Sequence, residues 1–125
     1  MSLVLVVDDS AVVRAMLAEE LLQRGYDVIL ATDGLDAMTL MQANLPDLVI
    51  TDVVMPRMNG YELCRWIKSD VQLRTTPVIM CSTKSEAFDR YWGIKQGADA
   101  YLTKPCSPND LDRTLRRLLM QTVAL

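Results

Sequence analysis

The sequence has 125 residues, with 13 Lys+Arg against 16 Asp+Glu for a net charge of −3, 50% hydrophobic residues and no histidine. That is one domain's worth of chain with enough apolar material for a core, so disorder is excluded. The missing imidazole also excludes His-liganded zinc, Ser-His-Asp and Cys-His catalysis and a phosphohistidine carrier, leaving carboxylates, hydroxyls and lysines for chemistry.

The first apolar run, Leu3–Val7, meets Asp8 and Asp9 too soon for a signal peptide or a membrane span and reads as a buried strand. Ser10 is placed to cap a helix over Ser10–Gln23 that stops near Gly25. A strand over Asp27–Ala31 and a helix over Gly34–Ala43 follow. A strand over Leu48–Thr51 then leads through the Asn59-Gly60 turn into a helix over Gly60–Ser69. The last two pairs are Pro77–Cys81 with Ser85–Gln96, and Ala100–Leu102 with Pro108–Gln121, where Pro108 suits a first helical turn. Each apolar run has the length of a strand buried on both faces, and the stretches between are amphipathic at helical period. Strict alternation predicts an α/β fold of three layers, a parallel sheet covered by helices on both sides.

The expected organisation is a single domain over residues 1–125 with no linker and no effector domain. Cys64, Cys81 and Cys106 are odd in number and widely spaced, which predicts reduced thiols and a cytoplasmic location. With mild acidity and no basic block, neither nucleic acid nor membrane insertion is expected.

In an open parallel sheet, ligands bind beyond the carboxyl ends of the strands. The polar residues following the apolar runs are Asp8 and Asp9, Asp52, Ser82 and Thr83, and Thr103 and Lys104. If the first and third strands are neighbours, three carboxylates crowd together, and a hard divalent cation such as Mg²⁺ relieves their repulsion. Lys104 supplies a positive charge opposite them, and Ser82 a hydroxyl. This set suits an aspartyl-phosphate site, with Asp52 attacking a phosphoryl donor while cation and lysine stabilise the transferring charge.

Other uses of such a fold fit less well. Asp8-Asp9 would repel the phosphate of a flavin nucleotide, and a dinucleotide or P-loop site needs glycines where this chain has Asp-Asp-Ser-Ala, so no organic cofactor is expected. A phosphatase of the haloacid dehalogenase type carries an acid two residues after its nucleophile; Val54 occupies that place.

Three segments together, Val6-Val7-Asp8-Asp9-Ser10, Pro46–Asp52 running into Met55-Pro56-Arg57-Met58-Asn59-Gly60, and Gly97–Pro105, resemble the receiver domain of two-component response regulators, of the stand-alone chemotaxis (CheY-like) type. The resemblance implies a flavodoxin-like (βα)5 fold of strand order 2-1-3-4-5. It implies Asp52 as phosphoacceptor, Asp9 as a direct Mg²⁺ ligand beside Asp52, Asp8 acting on the metal through water, and the Val54 main-chain carbonyl as a further ligand. Ser82 matches the switch hydroxyl, Lys104 the invariant lysine, Tyr101 the aromatic switch, and Pro105 the residue whose preceding peptide is often cis. The Cys81–Lys84 and Asp89–Gly93 stretches also resemble receivers of twitching-motility or phototaxis systems.

On this reading the chain is a phosphoaccepting switch rather than an enzyme. Its donor is a histidine kinase or phosphotransfer protein, and its output a target protein bound by the surface of helix four, strand five and helix five. The alternative is a receiver-like scaffold that binds partners without phosphorylation. The apolar Val54 cannot orient an attacking water as an amide could, which predicts a phosphoryl lifetime longer than that of the fastest-hydrolysing family members.

Overall fold

The computed structural model describes residues 2–123, so Met1, Ala124 and Leu125 of the expected 1–125 domain lie outside the described residues. Five strands, β1 (Leu3–Val7), β2 (Asp27–Ala31), β3 (Leu48–Thr51), β4 (Val78–Ser82) and β5 (Ala100–Thr103), alternate with five helices. The helices are α1 (Ala11–Gln23), α2 (Gly34–Ala43), α3 (Gly60–Ser69), α4 (Ala87–Lys95) and α5 (Pro108–Val123). All pairings are parallel and the order is β2-β1-β3-β4-β5, as the resemblance implies. Strand order reverses at β1, which places the expected ligand crevice at the carboxyl ends of β1 and β3.

Alternation along the strands sorts the core into two layers. Val4, Val6, Leu48, Ile50, Ile79 and Cys81 face α1 and α5, where Leu21, Leu111, Leu115, Leu118 and Leu119 meet them. Leu5, Val7, Val49, Val78, Met80 and Tyr101 face the opposite way, against Met41 of α2 and Leu63, Cys64 and Ile67 of α3. Both faces of the sheet are thus covered, and continuous apolar runs were the only workable pattern for its inner strands.

Several boundaries differ from expectation for local reasons. Pro77 has no N–H for the ladder and serves only as acceptor, its carbonyl taking the Val49 N–H, so β4 starts at Val78 and ends on Ser82. Ser10 and Asn59 cap α1 and α3 from outside the helices, each side chain accepting a main-chain N–H. The fourth helix starts at Ala87 rather than Ser85, because the Glu86–Asp89 capping box sets its entry. Gly60 is required where it stands: a Cβ there would lie 2.1 Å from the Asp52 carbonyl, and its N–H donates to the Val53 carbonyl at 2.8 Å. A small residue at the mouth of α3 is therefore what lets that helix pack against the end of β3.

Candidate functional site

Sheet register assembles the site. Val7 and Thr51 are partners, and the Asp52 N–H donates to the Val7 carbonyl at 2.9 Å, so Asp8 and Asp52 leave adjacent strands side by side. Ser82 and Thr103 are partners, and the Lys104 N–H donates to the Ser82 carbonyl at 2.8 Å, which carries Lys104 past the same edge.

Asp8 is buried, Asp52 half-buried and Asp9 exposed, and each offers a carboxylate oxygen within 4.8 Å of the other two. Lys104 Nζ lies 2.7 Å from Asp8 Oδ2 and 3.2 Å from Asp52 Oδ2, bridging the pair. Burial alone would lower the Lys104 pKa, but the hydrogen bond to Asp8 and the charges of Asp52 and Asp8 outweigh it and hold the ammonium above its ordinary value. Asp8 Oδ1 accepts the Ser10 N–H at 2.9 Å, and Asp52 Oδ1 accepts the Val53 N–H at 2.7 Å. One oxygen of each acid is fixed by backbone and another faces the lysine, so the rim is ordered from the main chain outward. Close-set hard oxygen donors of this kind suit Mg²⁺.

The remaining predicted positions divide into two groups. Val54 stands in the loop after β3, 57% exposed, and because its side chain carries no donor atom only its main-chain carbonyl could serve a metal. Ser82 is fully buried at the end of β4, and its Oγ accepts the Lys84 N–H at 3.2 Å. The Tyr101 hydroxyl donates to the Lys84 carbonyl at 2.7 Å, and its ring is buried. Burial raises the phenol's pKa, with the Ser82 hydroxyl working against it. Ser82 and Tyr101 thus grip the two ends of one residue in the β4–α4 loop. The Lys104-Pro105 peptide is cis.

Sequence reasoning missed three supports of this rim. Arg14 on α1 donates to the Asp8 carbonyl at 2.7 Å. Arg57, whose backbone is left-handed at φ 68°, pairs with buried Asp33 at 2.5 Å and so ties the β3–α3 loop to the start of α2. The Asp33 carboxyl is held below its usual pKa, chiefly by the Asp36 N–H it caps and then by the Arg57 guanidinium. Cys81 and Cys106 are joined in a disulfide, which corrects the expectation of three reduced thiols; Cys64 alone is free and buried. The register explains the miss: Cys81 pairs with Leu102, so a residue 25 positions further along returns to its side once the chain turns past Pro105. Only Asp33 left a sequence signal, as an acid three residues ahead of Asp36 at a helix entry.

Comparison with known proteins decides what this edge belongs to. A model of the response regulator receiver domain matches residues 4–116. The chain belongs to that family. PilG of Pseudomonas aeruginosa is 44% identical over 109 residues, covering 86% of this chain and 80% of PilG. The alkaline phosphatase synthesis transcriptional regulatory protein PhoP of Bacillus subtilis is 36% identical over 119 residues, covering 95% of this chain and 49% of PhoP. The chain spans about half the length of the transcriptional regulators it matches. Among solved structures, the chemotaxis protein CheY4 of Vibrio cholerae superposes with a TM-score of 0.89 at 36% identity, covering 94% of this chain and 98% of that one. The receiver assignment and the CheY-like fold are therefore established, and receivers act as signalling phosphoacceptors rather than as turnover enzymes.

Proposed function

We propose that this receiver takes a phosphoryl group on Asp52 from a histidine kinase or phosphotransfer protein, with Mg²⁺ held by Asp9, Asp52 and the Val54 carbonyl and by Asp8 through water. The observation carrying the proposal is the trio of carboxylates within 4.8 Å of one another, bridged by Lys104. A carboxylate oxygen of Asp52 attacks phosphorus, the bond to the donor nitrogen breaks, and the donor imidazole leaves and regains its proton. The metal, when bound, supplies charge neutralisation at the transferring oxygens. Lys104, held protonated by its two acids, is poised to shift toward the new dianion, and Ser82 to donate its hydroxyl to it.

The response travels by hydrogen bonds. When Ser82 turns to the phosphoryl oxygens it stops accepting from Lys84 N, and the loop that Tyr101 grips by the Lys84 carbonyl is freed. Tyr101 and α4 then reposition the surface of α4, β5 and α5 to which a target protein binds. Phe88, Tyr91, Trp92 and Ile94 of α4 are 70%, 61%, 40% and 48% exposed, an apolar face suited to a protein partner. Among the described residues no helix is long and apolar enough to cross a membrane.

Incubation with acetyl phosphate and Mg²⁺, read by intact mass, tests the reading. One phosphoryl group per chain that is absent from Asp52→Asn is expected. No modification of the wild-type chain favours the phosphorylation-independent scaffold, and multiple turnover of donor favours an enzyme. Because Val54 offers no amide to orient water, the isolated phosphoprotein should decay more slowly than the fastest-hydrolysing receivers, and Val54→Asn should hasten the decay.

A further inference from the structure

The disulfide stands at the site's own edge. Cys81 directly precedes Ser82, and Cys106 follows Lys104 by two residues, so the bond ties the strand end carrying the switch hydroxyl to the loop carrying the lysine. It lies in the wall of an open apolar groove of about 230 Å³ between α1 and the start of α5, lined by Val13, Met16, Leu17, Pro108 and Leu111. Cys81 is 2% exposed, while Cys106 is half-buried and reachable through that groove. Cys64 differs on every count: it lies in the opposite core layer, is fully buried, and donates to the Gln96 carbonyl.

We propose that Cys81 and Cys106 form a reversible thiol–disulfide couple, exchanged by small disulfides of the glutathione type, whose oxidised form restrains Ser82 and Lys104 and slows phosphoryl acceptance. The effect on phosphorylation rests on the function proposed above, whereas the couple itself does not. In oxidation, the Cys106 thiolate attacks one sulfur of the small disulfide and expels a thiolate. Cys81 sulfur then attacks the mixed disulfide at Cys106 and expels the second small thiol. The two cysteines lose two protons and two electrons, and the small disulfide gains them as two thiols. Bonds reachable from solvent are the ones that exchange. The restraint acts because Lys104 Nζ, 2.7 Å from Asp8 and 3.2 Å from Asp52, is to shift toward the phosphoryl group on the proposed function, while Cys106 fixes the loop two residues on.

The full chain is equilibrated in glutathione buffers of stepped redox ratio, its thiols trapped, and its peptides mapped by mass. A linked Cys81–Cys106 peptide that comes and goes with the ratio, with Cys64 free throughout, is the expected result. Glutathione left on Cys106 beside a free Cys81, or a linkage insensitive to the ratio, overturns the proposal. Amide exchange across residues 103–107 should be slower in the oxidised form, and equal exchange overturns the restraint. With acetyl phosphate and Mg²⁺, oxidised chain should be modified at least about threefold more slowly than reduced chain. Cys106→Ser, at a half-buried position that tolerates a hydroxyl, should abolish the difference; a redox response persisting in that variant overturns the assignment. If neither redox form accepts phosphate, the phosphoacceptor reading falls, while the couple is still decided by the peptide map and the exchange.

Discussion

Helices α3 and α4 cover the same face of the sheet and are held to it by different physics. Over ten residues α3 buries Gly60, Leu63, Cys64 and Ile67, whereas over nine residues α4 buries Gly93 alone and leaves Phe88, Tyr91, Trp92 and Ile94 exposed. What α4 has instead are polar ties. The Tyr61 hydroxyl reaches the Asp89 carbonyl at 3.4 Å, Arg65 reaches Gln96 Oε1 at 2.8 Å, and Arg90 reaches the Tyr101 carbonyl at 2.7 Å. Apolar burial sets how much free energy an element loses by opening, so α3 belongs to the global fold and α4 to its low-stability part. The proposed switch would use one of each: a rigid helix behind the Asp52 loop, and a neighbour that can be moved at little cost.

The largest expected effect tests the rigid member. Leu63→Ala removes a fully buried side chain from α3 and should cost about 2–5 kcal/mol in urea unfolding. Ile94→Ala on α4, half exposed, should cost about 0.5 kcal/mol or less. Similar losses from the two would abolish the distinction.

Alkaline pH attacks the ties that run between the helices. Burial pushes the Cys64 thiol, which faces the Gln96 carbonyl, from 9.0 up to about 11, and burial likewise pushes the Tyr61 phenol from 10.0 up to about 12. Groups whose folded pKa exceeds the unfolded one hold their protons longer when native, so stability falls as pH rises between the two values. Lys104 shifts in the same direction and adds to the same alkaline loss. Native stability should therefore decline from about pH 9 onward. Cys64 alone should account for a loss on the order of 2–3 kcal/mol by the top of its range. Cys64→Ala should delay the onset, and amide exchange in α4 should accelerate before that in α3. Simultaneous acceleration would count against α4 as a separately opening element.

The sequence made these elements legible to unequal degrees. Strand-end acids could be found because a doubly covered parallel sheet writes its strands as apolar runs, so the first charge after each run marks the functional edge. The weak attachment of α4 could not be found. Its apolar residues resemble those of a packed helix, and only the fold shows that Phe88 and Tyr91 point outward while Gly93 takes the inner position. The Cys81–Cys106 bond and the Arg57–Asp33 clamp were hidden for another reason. Each joins residues more than twenty apart that meet through register and loop geometry, which composition does not encode.

Gly93 offers a finer test. A Cβ there would lie 2.9 Å from Met80 Sδ and 2.9 Å from the Tyr101 ring. The thioether can move aside but the buried ring cannot do so cheaply, so Gly93→Ala should lift α4 or turn Tyr101 outward at a cost of about 1–3 kcal/mol. Exchange in α4 should rise far more than in α3. A loss spread evenly over both helices would mean that Gly93 supports the whole fold and not this contact.

The smallest effect on stability is expected at Phe88, and it discriminates most sharply what the outer face is for. Phe88 and Trp92 stack with ring centroids 6.5 Å apart and planes 3° from parallel, yet Phe88 remains 70% exposed. A residue that were part of the core would lose several kcal/mol on truncation; one that lies on surface reserved for another protein loses almost nothing in the isolated chain. Phe88→Ala should hence leave urea stability within about 0.5 kcal/mol of the parent while shifting Trp92 fluorescence, because the indole loses its stacked neighbour and gains water. A stability loss above about 1 kcal/mol would show that the pair already anchors α4 to its own sheet, and the contrast with α3 would lose its basis.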